Sequence, residues 1–135
     1  MDLKEELTLT LYSIYDSDIF APIMEFLQGE TRVLLFMLMN KNKEIYPSDL
    51  SEALNVTRQR ITSILSSLRK KEFVVMELSK KDRRRMQVFL TYKGKKHVIA
   101  KVKIAERLID TLIDRLGYDN VKQLSSILEM VVRKK

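Results

Sequence analysis

Cysteine is absent from this chain of 135 residues, which excludes disulfides, thiol redox switches and thiolate metal sites. Glycine and proline are scarce, three and two, beside 45% apolar residues, so a disordered or low-complexity chain is excluded and a helix-rich globular composition remains. No stretch has 18 uninterrupted apolar residues and no N-terminal signal pattern is visible. A soluble, cytoplasmic protein with no membrane partner is therefore expected. Catalytic signatures are missing as well: no Gly-rich phosphate loop, no G-x-S-x-G and no H-E-x-x-H. His97, the one histidine, stands in a lysine-rich stretch without a ligand cluster and reads as a surface residue. The pairs Glu5–Glu6 and Asp16/Asp18 have no His or Lys partner and read as solvation and capping. No enzyme, no cofactor and no metal are expected.

Acid is scarce where base is dense. Residues 1–40 hold two Lys/Arg against seven Asp/Glu, residues 41–103 hold 17 against 6, and residues 104–135 hold 6 against 5. The net charge of +7 is thus confined to the middle of the chain. Such a block is an electrostatic footprint for a polyanion. No basic helix here carries the bulky apolar face that lies in lipid.

Inside that block, Thr57 suits a helix N-cap, since its hydroxyl can accept an orphan N–H of the first turn. Ile61, Ile64, Leu65 and Leu68 then fall at i, i+3, i+4 and i+7, one apolar stripe. The other side presents Gln59, Thr62, Ser63, Ser66 and Lys70, with Arg58 and Arg60 near the start, and no acid occurs from Thr57 to Lys71. Short hydroxyl and amide side chains at an exposed helix start approach base edges closely, and Gln and Arg can pair with them bidentately. A partner helix begins at Pro47, which suits the first helical position. Asp49 favours its first turn, Leu50, Ala53 and Leu54 form its buried side, and Asn55 can turn the chain in a left-handed conformation. Val74 to Leu78 and Met86 to Leu90 alternate with period two, which predicts two strands. The loop between them, SKKDRRR, puts five cations and one acid into seven residues. Phosphates attract such lysines and a narrow minor groove attracts inserted arginine. Together these residues spell a helix-turn-helix followed by a β-wing.

Asp82-Arg83-Arg84 followed by Val88, Leu90-Thr91 and Lys93-Gly94 is similar to the D-x-R…L-T-x-K-G wing signature of the MarR-type transcriptional regulators. Asn55-Val56-Thr57 resembles that family's turn, and Leu68 to Val74 its helix-to-wing junction. The resemblance is strongest from Tyr46 to Gly94. Two positions depart from it: the family usually has Gly where this chain has Glu72, and often Ala where it has Ser51. The resemblance implies a homodimer whose recognition helix enters the major groove while a wing arginine enters the minor groove. It also implies that a small-molecule effector could bind between the winged helix and the dimer helices, near Tyr12, Tyr15, Phe20 and Phe36. These aromatics also suit a core. The redox-sensing branch of the family is excluded by the missing cysteine.

Outside the winged helix, residues 2–15 read as a helix with Leu3, Leu7, Leu11 and Ile14 as its stripe. Ile19 to Gln28 forms a second piece with Pro22 near its start. Thr31 to Asn40, with its VLLFMLM run, suits a helix buried all round, Met37 and Met39 filling core. Ile45-Tyr46 can add a third strand. Thr91 can cap a helix from Tyr92 to Leu116, on which Val98, Val102, Ala105, Ile109, Leu112 and Leu116 make a heptad seam that calls for a partner helix. Gly117 ends it, Asp119 or Asn120 starts the next, and Val121, Leu124, Leu128 and Val131 form a last stripe.

The expected fold is mainly α (α+β): a single domain over 1–135, with a winged helix-turn-helix at 31–91 and dimerisation helices at 1–28 and 92–135. The expected function is a sequence-specific DNA-binding transcriptional regulator, most often a repressor, acting as a homodimer on double-stranded DNA with a pseudo-palindromic operator. Arg58, Gln59, Arg60, Thr62 and Ser63 would face the major groove, with Thr57 and Ser66 beside them. Arg83, Arg84 and Arg85 would face the minor groove, Asp82 orienting one of them, while Lys70, Lys71, Lys80, Lys81, Lys93 and Lys95 would hold phosphates. The alternatives are a winged-helix protein-interaction module in a larger assembly and a non-specific architectural DNA-binding protein.

Overall fold

The computed structural model describes residues 1–133 and gives mainly helical structure with one small antiparallel sheet. In chain order the elements are α1 (Leu3–Ile14), α2 (Phe20–Phe26), α3 (Gly29–Met39), α4 (Pro47–Leu54), α5 (Arg58–Lys70), β1 (Val74–Leu78), β2 (Met86–Leu90), α6 (Tyr92–Leu116) and α7 (Tyr118–Val132). They divide into two units: Met24–Lys103, and Met1–Ile23 with Ile104–Lys135.

The unit Met24–Lys103 is a winged helix. Its core joins Val33, Leu34 and Met37 of α3, Leu50 and Leu54 of α4, and the Ile61, Ile64, Leu65 and Leu68 stripe of α5. Val74, Val88 and Val98 complete it from β1, β2 and α6. Local chemistry sets each boundary. Pro47 opens α4, and the Asp49 carboxylate accepts the Tyr46 N–H at 2.8 Å. Asn55 closes α4 at φ +54°, the left-handed region that asparagine tolerates. Ser51 then clamps the turn: its hydroxyl donates to the Val56 carbonyl at 2.7 Å, while the Val56 N–H donates to the Ser51 carbonyl at 3.1 Å. An alanine at 51 could make only the second bond. Thr57 caps α5 by accepting the Arg60 N–H at 3.0 Å.

At the far end of α5 the Glu72 N–H reaches the Arg69 carbonyl at 3.0 Å and the Phe73 N–H reaches Leu68 at 2.9 Å. This is a Schellman cap, and it forces Glu72 to φ +64°. The Thr91 hydroxyl donates to the Glu72 carbonyl at 2.7 Å and accepts the Gly94 N–H at 3.0 Å, so one side chain ties the end of α5 to the start of α6. Gly94 is needed there because a Cβ would lie 2.1 Å from the Phe73 carbonyl oxygen. The wing pairs Val74 with Leu90 through Leu78 with Met86.

Several expectations are corrected in this unit. Helix α3 begins at Gly29 (φ +58°) rather than Thr31, and it is not buried all round: Met39 is 75% exposed, on the face opposite the buried Val33, Leu34 and Met37. Ala53 is exposed on α4, where Leu50 and Leu54 suffice. Ile45-Tyr46 is not a strand: the Val88 N–H donates to the Ile45 carbonyl at 2.8 Å, and the chain then turns into the α4 cap before a ladder can form. His97 is not a surface residue but half-buried, its ring stacked on Phe73 with centroids 4.3 Å apart. Burial, then repulsion from Lys101 and Lys71, lowers its pKa.

In the other unit, Ile19, Ile23 and Leu112 form a small core flanked by Phe20, Leu108 and Leu116. The Arg115 guanidinium grips the Asp18 carboxylate at 3.1 and 3.3 Å, and this hydrogen bonding and charge hold the Asp18 pKa below its ordinary value. Part of the expected heptad seam is therefore occupied by the chain's own α2. Helix α6 ends at Leu116 with Gly117 next, as expected, but α7 starts earlier than expected: Gly117 (φ +84°) caps it at Tyr118, and the Asn120 amide donates to the Leu116 carbonyl instead of starting a helix. Helices α1 and α7 bury no residue. Leu3, Leu7 and Leu11 on α1, and Ile127, Leu128 and Val131 on α7, are exposed, Val131 at 81%. Among the described residues no helix is long and apolar enough to cross a membrane.

Candidate nucleic-acid interface

With its apolar stripe in the core, α5 turns Arg58, Gln59, Arg60, Thr62, Ser63, Ser66 and Lys70 to solvent. Gln59, Thr62, Ser63, Ser66, Ser67 and Lys70 line one open groove along the helix. Three hydroxyls are already engaged: Thr57 in its cap, Thr62, which donates to the Arg58 carbonyl at 2.9 Å, and Ser67, which donates to the Glu30 carboxylate. Arg58, Gln59, Arg60, Ser63, Ser66 and Lys70 make no side-chain hydrogen bond or ion pair among the described residues. They need break nothing to reach a ligand.

The predicted lysines divide. Lys71 binds the Glu30 carboxylate at 3.0 and 3.1 Å, beside a hydrogen bond from Ser67 to the same group at 2.9 Å. Burial pushes the Glu30 carboxyl up, but the Lys71 and Ser67 bonds outweigh it and hold the pKa below its ordinary value. Lys81 pairs with Glu44 at 3.3 Å and Lys93 with Glu72 at 3.7 Å. Such exposed pairs are worth about 0–1 kcal/mol, small enough for a phosphate to replace the acid. Lys70, Lys80 and Lys95 have no acid partner among the described residues.

The three wing arginines also part company. Asp82 orients Arg84, accepting both its backbone N–H at 3.1 Å and its Nε at 3.2 Å. Arg83 is exposed. Arg85 folds back instead: its guanidinium lies 3.7 Å from the centroid of the Tyr46 ring and donates to the Ser48 hydroxyl at 3.1 Å. Tyr46, Ser48 and Ser79 are members of this site that sequence reasoning missed. Their long-range partners stand 33 to 39 residues away, beyond any periodicity. A tyrosine beside Pro47 and a serine ending a strand were the only signals.

The four aromatics named for an effector are differently placed. Tyr12 and Tyr15 are 73% and 67% exposed on and just after α1, not core. Phe20 packs beside Ile19 and Ile23 in one unit, and Phe36 against the winged-helix core in the other. A cavity of about 350 Å³ in the winged helix lies between the end of α3 and β2, lined by Met37, Leu38, Val88 and Leu90 among others, and Phe36 is not part of it. Among the described residues no group of three or more His, Asp or Glu is arranged to hold a metal ion.

Known proteins share this architecture. The chain is 29% identical over 68 residues to the HTH-type transcriptional repressor YetL of Bacillus subtilis (strain 168). That match covers 50% of this chain but only 41% of the relative's length. The Staphylococcus aureus MepR–DNA complex superposes with a TM-score of 0.73 at 18% identity, covering 98% of this chain and 96% of that one. The transcriptional repressor CouR, bound to a 23-mer DNA duplex, gives 0.72 at 23% identity, covering 98% and 93%. At these identities the likeness is one of fold. The sequence match is to the family itself, over residues 27–85, which run from the start of α3 to the last wing arginine. Through those residues the chain is similar to the MarR family.

Proposed function

We propose that the protein is a sequence-specific DNA-binding transcriptional repressor, working as a homodimer on a pseudo-palindromic operator. The observation that carries this reading is the exposed face of α5, free of acids and, at Arg58, Gln59, Arg60, Ser63, Ser66 and Lys70, of side-chain partners among the described residues, in a chain whose wing loop carries five cations. Gln59, Arg60 and Ser63 read base edges in the major groove, Arg58, Lys70 and Lys80 hold phosphates, and Arg83 and Arg84 reach the minor groove. The names of YetL and CouR as repressors, and the DNA in the MepR and CouR structures, favour the same role. The uncovered faces of α1 and α7 favour a second copy as their cover, and dimeric helix-turn-helix proteins read half-sites about one helical turn, roughly 10 bp, apart.

Two measurements test this. Fluorescence anisotropy on the protein's own upstream region, with unrelated DNA as competitor, should show binding that survives a large excess of competitor. Equal competition by any duplex would reduce the protein to an architectural binder, and no binding would leave a protein-interaction module. Sedimentation should give a dimer, with Ile127→Asp/Val131→Asp giving a folded monomer. These positions serve better than Leu112, which is buried in the chain's own core. A wild-type monomer at tens of micromolar would remove the homodimer.

A further inference from the structure

Tyr46 and Ser79 are buried, at 7% and 2% exposure, though each carries a hydroxyl. Their oxygens lie 2.8 Å apart. The direction of that bond follows from the neighbours. The Glu44 carboxylate only accepts, so the Tyr46 hydroxyl, 3.2 Å away, donates to it. Tyr46 has one proton, so Ser79 donates to Tyr46. The Ser79 oxygen in turn accepts the backbone N–H groups of Lys81 and Asp82, both at 3.2 Å. Lys81 returns to Glu44 at 3.3 Å and closes the circuit. The Tyr46 ring supplies a second attachment, under the Arg85 guanidinium that also holds Ser48 of α4. Both ends of the wing loop are thus fastened to the residue that opens the helix-turn-helix, and Arg83 and Arg84 stand between the fastenings.

We infer that Tyr46 is a positioning residue for the wing: through Ser79 and Arg85 it holds the loop so that Arg83 and Arg84 are presented to DNA at a set offset from α5. The inference rests on the DNA-binding reading above. A loop ordered before DNA arrives loses less freedom on binding, so Tyr46 raises affinity without touching DNA. Arg85 is then a strut rather than a groove reader.

The test uses the full chain and two duplexes, one carrying the half-sites with the flanks the wing reaches and one cut back to the half-sites. Tyr46→Phe keeps the ring under Arg85 and removes only the hydroxyl. Amide exchange at Lys81 and Asp82 should quicken in the free protein. Affinity for the long duplex should fall about three- to tenfold, the worth of one hydrogen bond, while the short duplex is bound nearly as before. Ser79→Ala should act alike, and the double variant should lose little more than either. Arg85→Lys, a conservative change on an exposed residue that keeps the charge but loses the fork and the stack, should show the same long-duplex loss and covers the case that Tyr46→Phe fails to fold. Equal losses on both duplexes, or unchanged affinity for the long one, would overturn the positioning role. Wild-type protein that binds both duplexes equally would overturn it too, since the wing would not reach DNA. Wild-type protein with no preference for any operator would instead remove the DNA reading itself.

Discussion

Replacing Glu72 by glycine should make the protein more stable, although it removes an ion pair. Glu72 is held at φ +64° by the two backbone bonds that finish α5. A residue with a Cβ bears about 1–2 kcal/mol in that conformation. Glycine relieves this strain but gives the unfolded chain more freedom, about 0.5–1 kcal/mol in the other direction. The Lys93–Glu72 pair, 3.7 Å long and largely exposed, accounts for a few tenths of a kcal/mol more. The midpoints of these terms leave about 0.5 kcal/mol in favour of Glu72→Gly, or about 2 °C in Tm. Every capping bond runs through the backbone and survives the change. Glu72→Ala is the informative control, since it keeps the Cβ, loses the pair and should fall slightly below wild type. Urea unfolding at one fixed protomer concentration reads all three, because association of folded copies would itself move the midpoint. If Glu72→Gly proves no more stable than Glu72→Ala, left-handed strain is not what governs this position.

The remaining predictions concern pH and the recognition helix. Because the His97 pKa is lowered in the folded protein, the unfolded chain takes up the proton first. Stability is therefore intact above the ordinary histidine value of about 6.5 and declines as pH falls through it toward the folded value. His97→Gln should flatten the urea midpoint between about pH 7.5 and 5.5, and an unchanged slope would mean that burial against Phe73 does not govern its protonation. Glu30, also lowered, contributes above its ordinary value and loses that contribution as acid carries the pH through its folded value. Glu30→Gln should remove this acid-limb loss, so an acid limb as steep as wild type would contradict it. Thr57→Ala should lose about 1 kcal/mol of stability in the same unfolding assay while Thr57→Asp keeps most of it, since either oxygen can cap α5. Equal midpoints for both would show that the cap bond contributes nothing.

What could be read from the sequence was what is local. The α5 stripe, the Thr57 cap, the left-handed Asn55 and the alternating arms of the wing each need neighbours no more than seven residues apart, and each is where the residues imply. The errors lie where a side chain's surroundings come from elsewhere. His97 looked solvated among Lys95, Lys96 and Lys101, but the Schellman cap of α5 brings Phe73 beneath it. Ile45-Tyr46 has the apolar, β-favouring character of a strand, yet the Asp49 cap bends it into α4. Met39 belongs to an apolar run, but it falls on the side of α3 opposite Val33, Leu34 and Met37. On the candidate interface, the exposed face of α5 was legible because periodicity alone divides inside from outside. The division of labour among Arg83, Arg84 and Arg85 was not, because it depends on a tyrosine in another element.

The turn between α4 and α5 is held by bonds of Ser51, Asn55 and Val56, and the four apolar residues that anchor α5 all lie on its inner side. Gln59, Ser63 and Ser66, exposed on the opposite side, take no part in either. The helix is in effect a fixed mount with an exchangeable face. Such an arrangement lets new side chains be fitted at those three positions without re-solving the fold, so, if α5 reads DNA as proposed above, a lineage carrying it can change what it recognises by a few substitutions while its stability stands still.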